Sequence, residues 1–385
     1  MKSYQEGDNM KILHTPARFH PFVGGVENYV YNLSEKLVER GHDVSVICAD
    51  EPRGLKNYES HKYPVRRLNY IGKVANTNIT PMLPFELLKE DCDIIHTHLP
   101  TPWSADCSSF AATLKRKPLV VTYHNDITGS GLDGKIAWLY NQTFLRLLLK
   151  IAGKIIITHP EYLQSSAYLS SYSSKVEVVP VGVDTKKFCP LNIDKSKANI
   201  FFLSVLDKFH RYKGLADLLK ALQIVKKDVP GIKLIVGGRG KLLEEYRKMA
   251  YRLDLENNVE FVGFIPEEKI VEYYNRAEIF ALPSTTSTQE GFGMVLLEAM
   301  ACGKPVVTTR IVGISREVHE CGAGEIVEAG DVRGLAQAIN NLIMDKKTAK
   351  TMGIRGRRLV EKRYSWDVVA ENMLEIYYKL INKYK

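Results

Sequence analysis

The 385-residue chain carries 53 Lys and Arg against 44 Asp and Glu, for a formal net charge of +9 and a pI of about 9.0. Its length supports two ordinary domains, and a composition 45% hydrophobic and 25% charged excludes disordered and fibrous classes. No run reaches the roughly 18 apolar residues of a membrane span, while the positive balance suits anionic partners such as nucleotides, phospholipid headgroups or nucleic acid.

The first nine residues, polar and acidic to Asp8, read as a tail or as an upstream start ahead of Met10. They hold no apolar export segment, so export is not expected. Lys11 to His14 is the first strand, and a loop with Pro16, Pro21, Gly24 and Gly25 leads to a helix from about Val26 to Arg40, closed by Gly41. Strands follow at Asp43 to Ala49, Asp93 to His98, Pro118 to His124, Lys154 to His159 and Val176 to Val181, with helices near Ser104 to Lys115 and Ile136 to Ile151. Val- and Ile-rich runs separated by helices predict a parallel sheet covered on both faces.

Pro180 to Lys197 reads as a linker, after which the pattern restarts. Strands are predicted at Ile200 to Leu206, Ile232 to Val236, Val259 to Phe264, Ile279 to Leu282, Pro305 to Thr309 and Glu325 to Glu328, with closing helices from about Gly334 and Ser365. The fold class is therefore α/β, two doubly wound Rossmann-like domains over residues 1–182 and 183–364, with the helix 365–385 packing back on the first. Ligands of such sheets bind outside the carboxyl ends of the strands, so a ligand is expected in a cleft between the two domains. The six cysteines are scattered, with no C-x-x-C pair and no histidine at ligand spacing, which argues for a reducing cytosol and against structural zinc.

The stretch from Glu290 to Glu298 (Glu-Gly-Phe-Gly-Met-Val-Leu-Leu-Glu) lies between two β-runs. Glu290 precedes two glycines and belongs to a loop, whereas Glu298 lies about one and a half turns inside a helix. On one continuous helix the two would stand roughly 12 Å apart, too far for a glycosidase pair, so they have separate tasks. Backbone N–H groups of Phe292 to Val295 would face any anion at the helix start. A loop carboxylate beside an anion site suits a ligand carrying both hydroxyls and phosphates.

Three further loops occupy the same rim. Gly24-Gly25 lets backbone approach a phosphate at a helix start, or is a plain tight turn. His124 ends a strand, as a chemical group or a satisfied structural one. Lys208, Arg211 and Lys213 share one βα loop ahead of Gly214, well placed for a diphosphate, or form a solvated basic loop. Gly237-Gly238-Arg239-Gly240 is not G-x-G-x-x-G and lacks the acidic residue about 20 positions on, so no dinucleotide site is expected there.

Together these residues resemble the retaining GT-B glycosyltransferases of family four, over nearly the whole chain. The resemblance rests on Gly24-Gly25-Val26-Glu27, His124, Val179-Pro180-Val181-Gly182-Val183-Asp184, Lys213-Gly214 and the Glu-x7-Glu motif at Glu290 and Glu298. Glu-Gly-Phe-Gly before that helix and Glu-Ala-Met-Ala-Cys-Gly-Lys-Pro-Val-Val in and after it make the match specific. It implies that Glu290, with Gly291, Phe292, Gly293, Met294 and Val295, holds the donor sugar and diphosphate, and that Glu298 holds the ribose. It further implies that Lys213 binds the leaving diphosphate, Gly24 and Gly25 face it, His124 reaches the transferring sugar, and the Val259 to Phe264 edge reads the nucleobase, placing Phe264 in the donor site. One departure is Ser204-Val205-Leu206, where the family has Gly-Arg-Leu; Lys208 or Arg211 then takes the place of the arginine.

The activity implied is transfer of a hexosyl unit from a UDP- or GDP-linked sugar to a glycan or lipid-linked acceptor, with retention, by a hexosyltransferase. No cofactor is expected and no metal, since Asp-x-Asp is not supported by a cluster and cations would stabilise the diphosphate. A non-catalytic two-lobed sugar-binding protein is the alternative, and it normally carries an export signal. Nucleic acid is not expected as a partner, for want of a recognition motif or an aromatic platform. Phe144 to Lys150, apolar with interspersed cations, is either a core helix with snorkelling cations or a contact with an anionic membrane surface, which gives a cytoplasmic protein peripheral on the inner face.

Overall fold

The β-runs become two separate parallel sheets, one in each half of the chain. The computed structural model describes residues 8–54, 61–74, 76–129, 131–193, 200–286 and 292–384. They divide into two units, residues 1–182 with 366–385, and residues 183–365.

In the first unit the strands are β1 (Lys11–Thr15), β2 (Asp43–Ala49), β3 (Val65–Leu68), a short antiparallel hairpin β4 (Gly72–Val74) and β5 (Thr77–Ile79), then β6 (Ile94–Leu99), β7 (Leu119–Tyr123), β8 (Lys154–Ile157) and β9 (Val176–Val178). The main sheet runs β3-β2-β1-β6-β7-β8-β9. β6 and β7 are buried along their whole length, as the apolar runs require, while the edge strands β3 and β9 are partly exposed. Helices Gly25–Glu39 and Trp366–Tyr384 share one apolar cluster with the sheet, centred on Tyr29, Leu33, Met373 and Tyr377. Helices Leu83–Lys89, Pro102–Lys115 and Phe144–Ile151 form the other, through Leu87, Ala111 and Leu148. Each aliphatic side chain sealed in this way contributes about 1.5–3 kcal/mol. Gly182 is fixed by the closing helix, because a Cβ there would lie 2.5 Å from Trp366 Cδ2.

The second unit holds β10 (Ile200–Leu203), β11 (Leu234–Gly237), β12 (Val259–Gly263), β13 (Ile279–Leu282), β14 (Val306–Thr309) and β15 (Gly324–Val327), in the order β12-β11-β10-β13-β14-β15. Its core forms one cluster in which Phe201, Tyr274 and Phe280 stack edge to face.

Three local expectations are revised. The helix predicted over Ile136 to Ile151 is two, Gly131–Gln142 and Phe144–Ile151, broken at Thr143, whose hydroxyl donates back to the Leu139 carbonyl. Two helices stand between Val332 and Arg363 where one was read, the second capped by Asp345, which accepts from the Thr348 N–H. Between β2 and the predicted strand at Asp93, where no element was predicted, stands the β4–β5 hairpin.

Candidate functional site

In both sheets the strand order reverses once, between β1 and β6 in the first and between β10 and β13 in the second. Loops leaving the carboxyl ends of such a pair diverge and leave a crevice for a ligand. Among the described residues, Gly24 and Gly25 follow β1, His124 follows β7 beside β6, Lys208, Arg211 and Lys213 follow β10, and the helix Met294–Ala301 follows β13, whereas Phe264 follows the edge strand β12.

In the second unit, β10 leads into the basic loop. Lys208–Lys213 forms a turn of 3-10 helix, started by Asp207, whose carboxylate accepts from the His210 N–H at 3.0 Å and from His210 Nδ1 at 2.7 Å. Gly214 follows at φ +81°, and a Cβ there would fall 1.8 Å from the Pro283 carbonyl oxygen, so only glycine fits. The loop after β13 thus presses directly on the basic loop, and Thr285 N–H donates to the Tyr212 carbonyl at 2.7 Å. This bond ties the backbone beside Lys213 to the segment that leads toward Glu290. Glu290 and Gly291 lie outside the described residues.

The helix Met294–Ala301 begins at Gly293, φ +82°, with no side chain capping it. A Cβ on Gly293 would lie 2.7 Å from Val312 Cγ1. Phe292 packs on Tyr364 with ring centroids 5.5 Å apart, which holds the helix entry, and Met294 and Val295 are half-buried in the first turn. Inside the helix, Glu298 accepts a 2.6 Å hydrogen bond from the hydroxyl of the fully buried Tyr274. Burial raises the Glu298 carboxyl to about 7, against the opposing pull of that hydrogen bond.

Of the other cations, Arg211 pairs with Glu245 at 2.7 Å on the surface, and Lys208 is exposed. Arg239, not counted among the site residues in the sequence, is brought near by backbone. Gly238, φ +124°, would place a Cβ 1.7 Å from the Ser204 carbonyl oxygen, and Leu206 N–H donates to the Arg239 carbonyl at 3.0 Å. Arg239 therefore stands against Ser204-Val205-Leu206, the segment without its arginine, and its guanidinium lies 4.9 Å from the centroid of the exposed Phe264 ring. The run Gly-Gly-Arg-Gly was the available signal; the steric need that docks it was not.

In the first unit, the loop after β1 reaches the helix Gly25–Glu39 through Gly24. Gly24 is extended, φ −157°, a conformation open to any residue, so its requirement is steric: a Cβ would meet Glu27 Oε2 at 2.3 Å. Glu27 is held by Arg18 Nε at 3.1 Å, both side chains nearly buried, and Arg18 also donates to Asn76 Oδ1 at 2.9 Å. At Gly25, by contrast, a Cβ would meet nothing within 4 Å. The helix has no side-chain cap, which leaves the positive end of its dipole facing that open space.

His124 closes the row. Just past β7, it stacks on His98 at 5.7 Å, His98 stacks on His14 at 5.6 Å, and His96 lies tilted against both, 4.4 Å from His98 and 4.9 Å from His14, across β6 and β1. Tyr29, one turn into the Gly25–Glu39 helix, meets the His124 ring edge-on at 5.0 Å. Burial lowers the imidazole of His14 to about 3 and of His124 to about 4, and drives His96 and His98 well below the usual range, with neighbouring imidazoles adding to the last two. All four are neutral at pH 7. His124 Nε2 is buried and has no hydrogen-bond partner among the described residues. The nitrogens of His14, His96 and His98 lie within 4.8 Å of one another, a metal-capable trio, yet His96 already engages Tyr377 at 2.5 Å and Thr122 at 2.7 Å through its two nitrogens. The alternation His96-Thr97-His98 in a strand was visible in the sequence; its register against His14 was not.

Two sequence families match the chain, "Glycosyltransferase Family 4" over residues 23–187 and "Glycosyl transferases group 1" over residues 184–359. The chain is 28% identical over 385 residues to the O-antigen chain mannosyltransferase C of Escherichia coli, covering 97% of this chain and 99% of that protein. It is 25% identical over 381 residues to the GDP-mannose-dependent alpha-(1-6)-phosphatidylinositol monomannoside mannosyltransferase of Mycobacterium tuberculosis, covering 95% and 97%. Among solved structures, a glycosyltransferase from Rickettsia africae superposes with a TM-score of 0.75 at 20% identity, covering 97% of this chain and 99% of the other, a likeness of fold and of the GT-B architecture.

Proposed function

This chain belongs to the family 4 glycosyltransferases, and on that footing we propose that it moves a mannosyl unit from GDP-mannose to a hydroxyl of a glycan or lipid-linked acceptor, with retention, forming an α-linkage. The names of the relatives support the mannosyl donor, two of them being mannosyltransferases and one GDP-mannose-dependent and alpha-forming. The observation that carries the reading is the bond from Thr285 N–H to the Tyr212 carbonyl, which joins the Lys213 loop to the loop leading to Glu290 at the topological switch point.

On this reading Lys213 neutralises the departing diphosphate, and the uncapped starts of the helices at Gly25 and Met294 add partial positive charge. Arg239 is the second cation, in place of the arginine missing at Val205, and Lys208 and Arg211 add to the field. Glu290 accepts hydroxyls of the mannose and Glu298 those of the ribose, while the backbone around Phe264 borders the base. His124, uncharged, offers a hydrogen bond to the transferring sugar. As the C1–O bond to phosphate breaks, positive charge spreads over the ring oxygen and C1. The acceptor oxygen attacks C1 from the same face, and its proton passes to the leaving phosphate oxygen.

The test is transfer of radiolabelled mannose from GDP-mannose to a lipid-linked or mannoside acceptor. Glu290→Ala and Lys213→Ala should each lower turnover by about 10²–10³ while the melting transition is kept. Unchanged turnover in both would remove the site assignment, and GDP binding without release of mannose in any assay would favour a sugar-binding protein.

A further inference from the structure

The two faces of the first sheet are covered by helices of different character. On one face, the helices Gly25–Glu39 and Trp366–Tyr384 turn their large apolar side chains inward, and only Tyr384 at the chain end is exposed. On the other, the helices fill the core and are apolar outside as well. In Phe144–Ile151, Leu145, Leu148 and Leu149 are sealed inside, while Phe144 at 58% and Leu147 at 53% exposure face out. The preceding helix adds Trp138 at 62% and Leu139 at 59%, bordering a shallow depression with Gly131, Gly134 and Lys135. Phe110 and Leu114, one turn apart on Pro102–Lys115, and Phe85 on Leu83–Lys89 continue the outward apolar surface over the same layer. Single exposed apolar residues are ordinary; a layer of them marks an interaction surface.

Charge selects the occupant. Lys135 lies one turn ahead of Trp138 and Leu139 on the same helical face, and Arg146 and Lys150 flank Leu147. None of these three is in an ion pair among the described residues, and Asp133 is the only acid in the two helices. A second copy docking on this face would set cations against cations. Aromatic and aliphatic side chains interleaved with Lys and Arg instead match an anionic lipid surface, where the rings enter the headgroup boundary and the cations meet phosphates. No described helix is long and apolar enough to cross a membrane, so contact through this layer is lateral.

We propose that the outer face of the helices Gly131–Gln142 and Phe144–Ile151, extended by Phe110 and Leu114, is the surface by which this protein docks on an anionic bilayer. The inference rests on the proposed reaction only in supposing a lipid-linked acceptor, and it names the surface that would bring the enzyme to it.

The test is flotation of the full chain with vesicles of phosphatidylglycerol and phosphatidylcholine, or of phosphatidylcholine alone, at low and high salt. Two triple variants are compared, Trp138→Ser/Phe144→Ser/Leu147→Ser and Lys135→Glu/Arg146→Glu/Lys150→Glu. The wild type should float with the anionic vesicles at low salt, and each variant should lose about tenfold or more in the bound fraction. Transfer to a water-soluble mannoside should stay at the wild-type rate, which also reports folding. Absence of wild-type flotation, or variants that float equally well, would overturn the proposal. So would a wild-type dimer that the substitutions dissociate without any vesicle binding, which gives the face to self-association. Flotation that depends on these residues in a protein without transferase activity would uphold the surface and remove the reaction.

Discussion

The two switch points share a topology and differ in chemistry. In the first unit the loops after β1 and β6 border a stack of uncharged imidazoles, and the one acid near the helix start, Glu27, is neutralised by Arg18. In the second unit the loop after β10 presents Lys208, Arg211 and Lys213, the loop after β11 adds Arg239, and a carboxylate, Glu298, lies one turn into the helix that follows β13. The sheet order places the crevice in both; the residues on the loops decide what it can hold. Fixed positive charge suits a diphosphate, and among the described residues near the two switch points it comes from side chains of the second unit, since Arg18 of the first is committed to Glu27. The first offers backbone dipole and neutral hydrogen-bonding groups, which suit hydroxyls.

The largest expected effect tests that division. Lys213→Ala should lower kcat by about 10³, some 4 kcal/mol of transition-state stabilisation, whereas His124→Ala, which removes a neutral contact, should cost about 10-fold to 10²-fold. Steady-state rates on purified variants measure both; equal losses would break the contrast. The glycines come next. Gly214→Ala must overcome both a left-handed backbone and a 1.8 Å approach to the Pro283 carbonyl, and should cost the second unit about 3 kcal/mol or more. Gly25→Ala meets nothing within 4 Å and should leave stability within about 0.5 kcal/mol, while weakening nucleotide-sugar binding if a phosphate approaches there. Calorimetry of the two variants, side by side with donor binding, gives the answer.

How far the sequence already contained this depends on the kind of signal. Strands such as Ile94–Leu99 and Val306–Thr309 were legible because a buried parallel strand must be apolar on both faces. The glycine-rich entry at Gly293 and the basic loop before Gly214 were legible because unusual backbone needs glycine. Thr143, an ordinary residue in a helix-compatible run, gave no warning of the break between the two exposed helices. Neither did the three-residue strands of the β4–β5 hairpin, too short to show alternation. Tyr274 and Arg239 were missed for another reason: each meets its site through a partner distant in the chain, Glu298 in one case and Leu206 in the other. Such pairings are products of sheet register and close packing, which no local pattern encodes.

The histidine cluster also separates the units, through pH. His14, His96, His98 and His124 have folded-state pKa values depressed below 6.5, so the unfolded chain binds protons that the folded chain refuses. Their contribution is fully present above about pH 6.5 and is lost as pH falls toward 4, with a slope of up to about 1.4 kcal/mol per pH unit for each histidine. Denaturant titrations between pH 7.5 and 5 should show the first unit losing stability on acidification. A flat profile for that unit would mean that the imidazoles are not sealed as the stack requires.

Glu298 reverses the sign within the second unit. Its carboxyl is raised to about 7, so the folded protein takes up a proton between pH 7 and the ordinary carboxylate range, and the strain of burying it ionised is relieved on acidification. A ribose diol offers two O–H donors, which a carboxylate accepts better than a carboxylic acid. Binding of the nucleoside diphosphate should then strengthen as pH rises through 7, by about tenfold between pH 6 and 8, the change in the ionised fraction of one group with a pKa near 7. The phosphate of the ligand titrates in the same range, and Glu298→Gln separates the two, because the step that persists in it belongs to the ligand. Tyr274→Phe removes the donor that favours the ionised form, so its midpoint should move above that of the wild type. Calorimetric titration of GDP across this range in the three proteins measures all of this. A wild-type step no larger than that of Glu298→Gln would place the ribose elsewhere, and would leave Tyr274 and Glu298 as a hydrogen-bonded pair that serves only the fold.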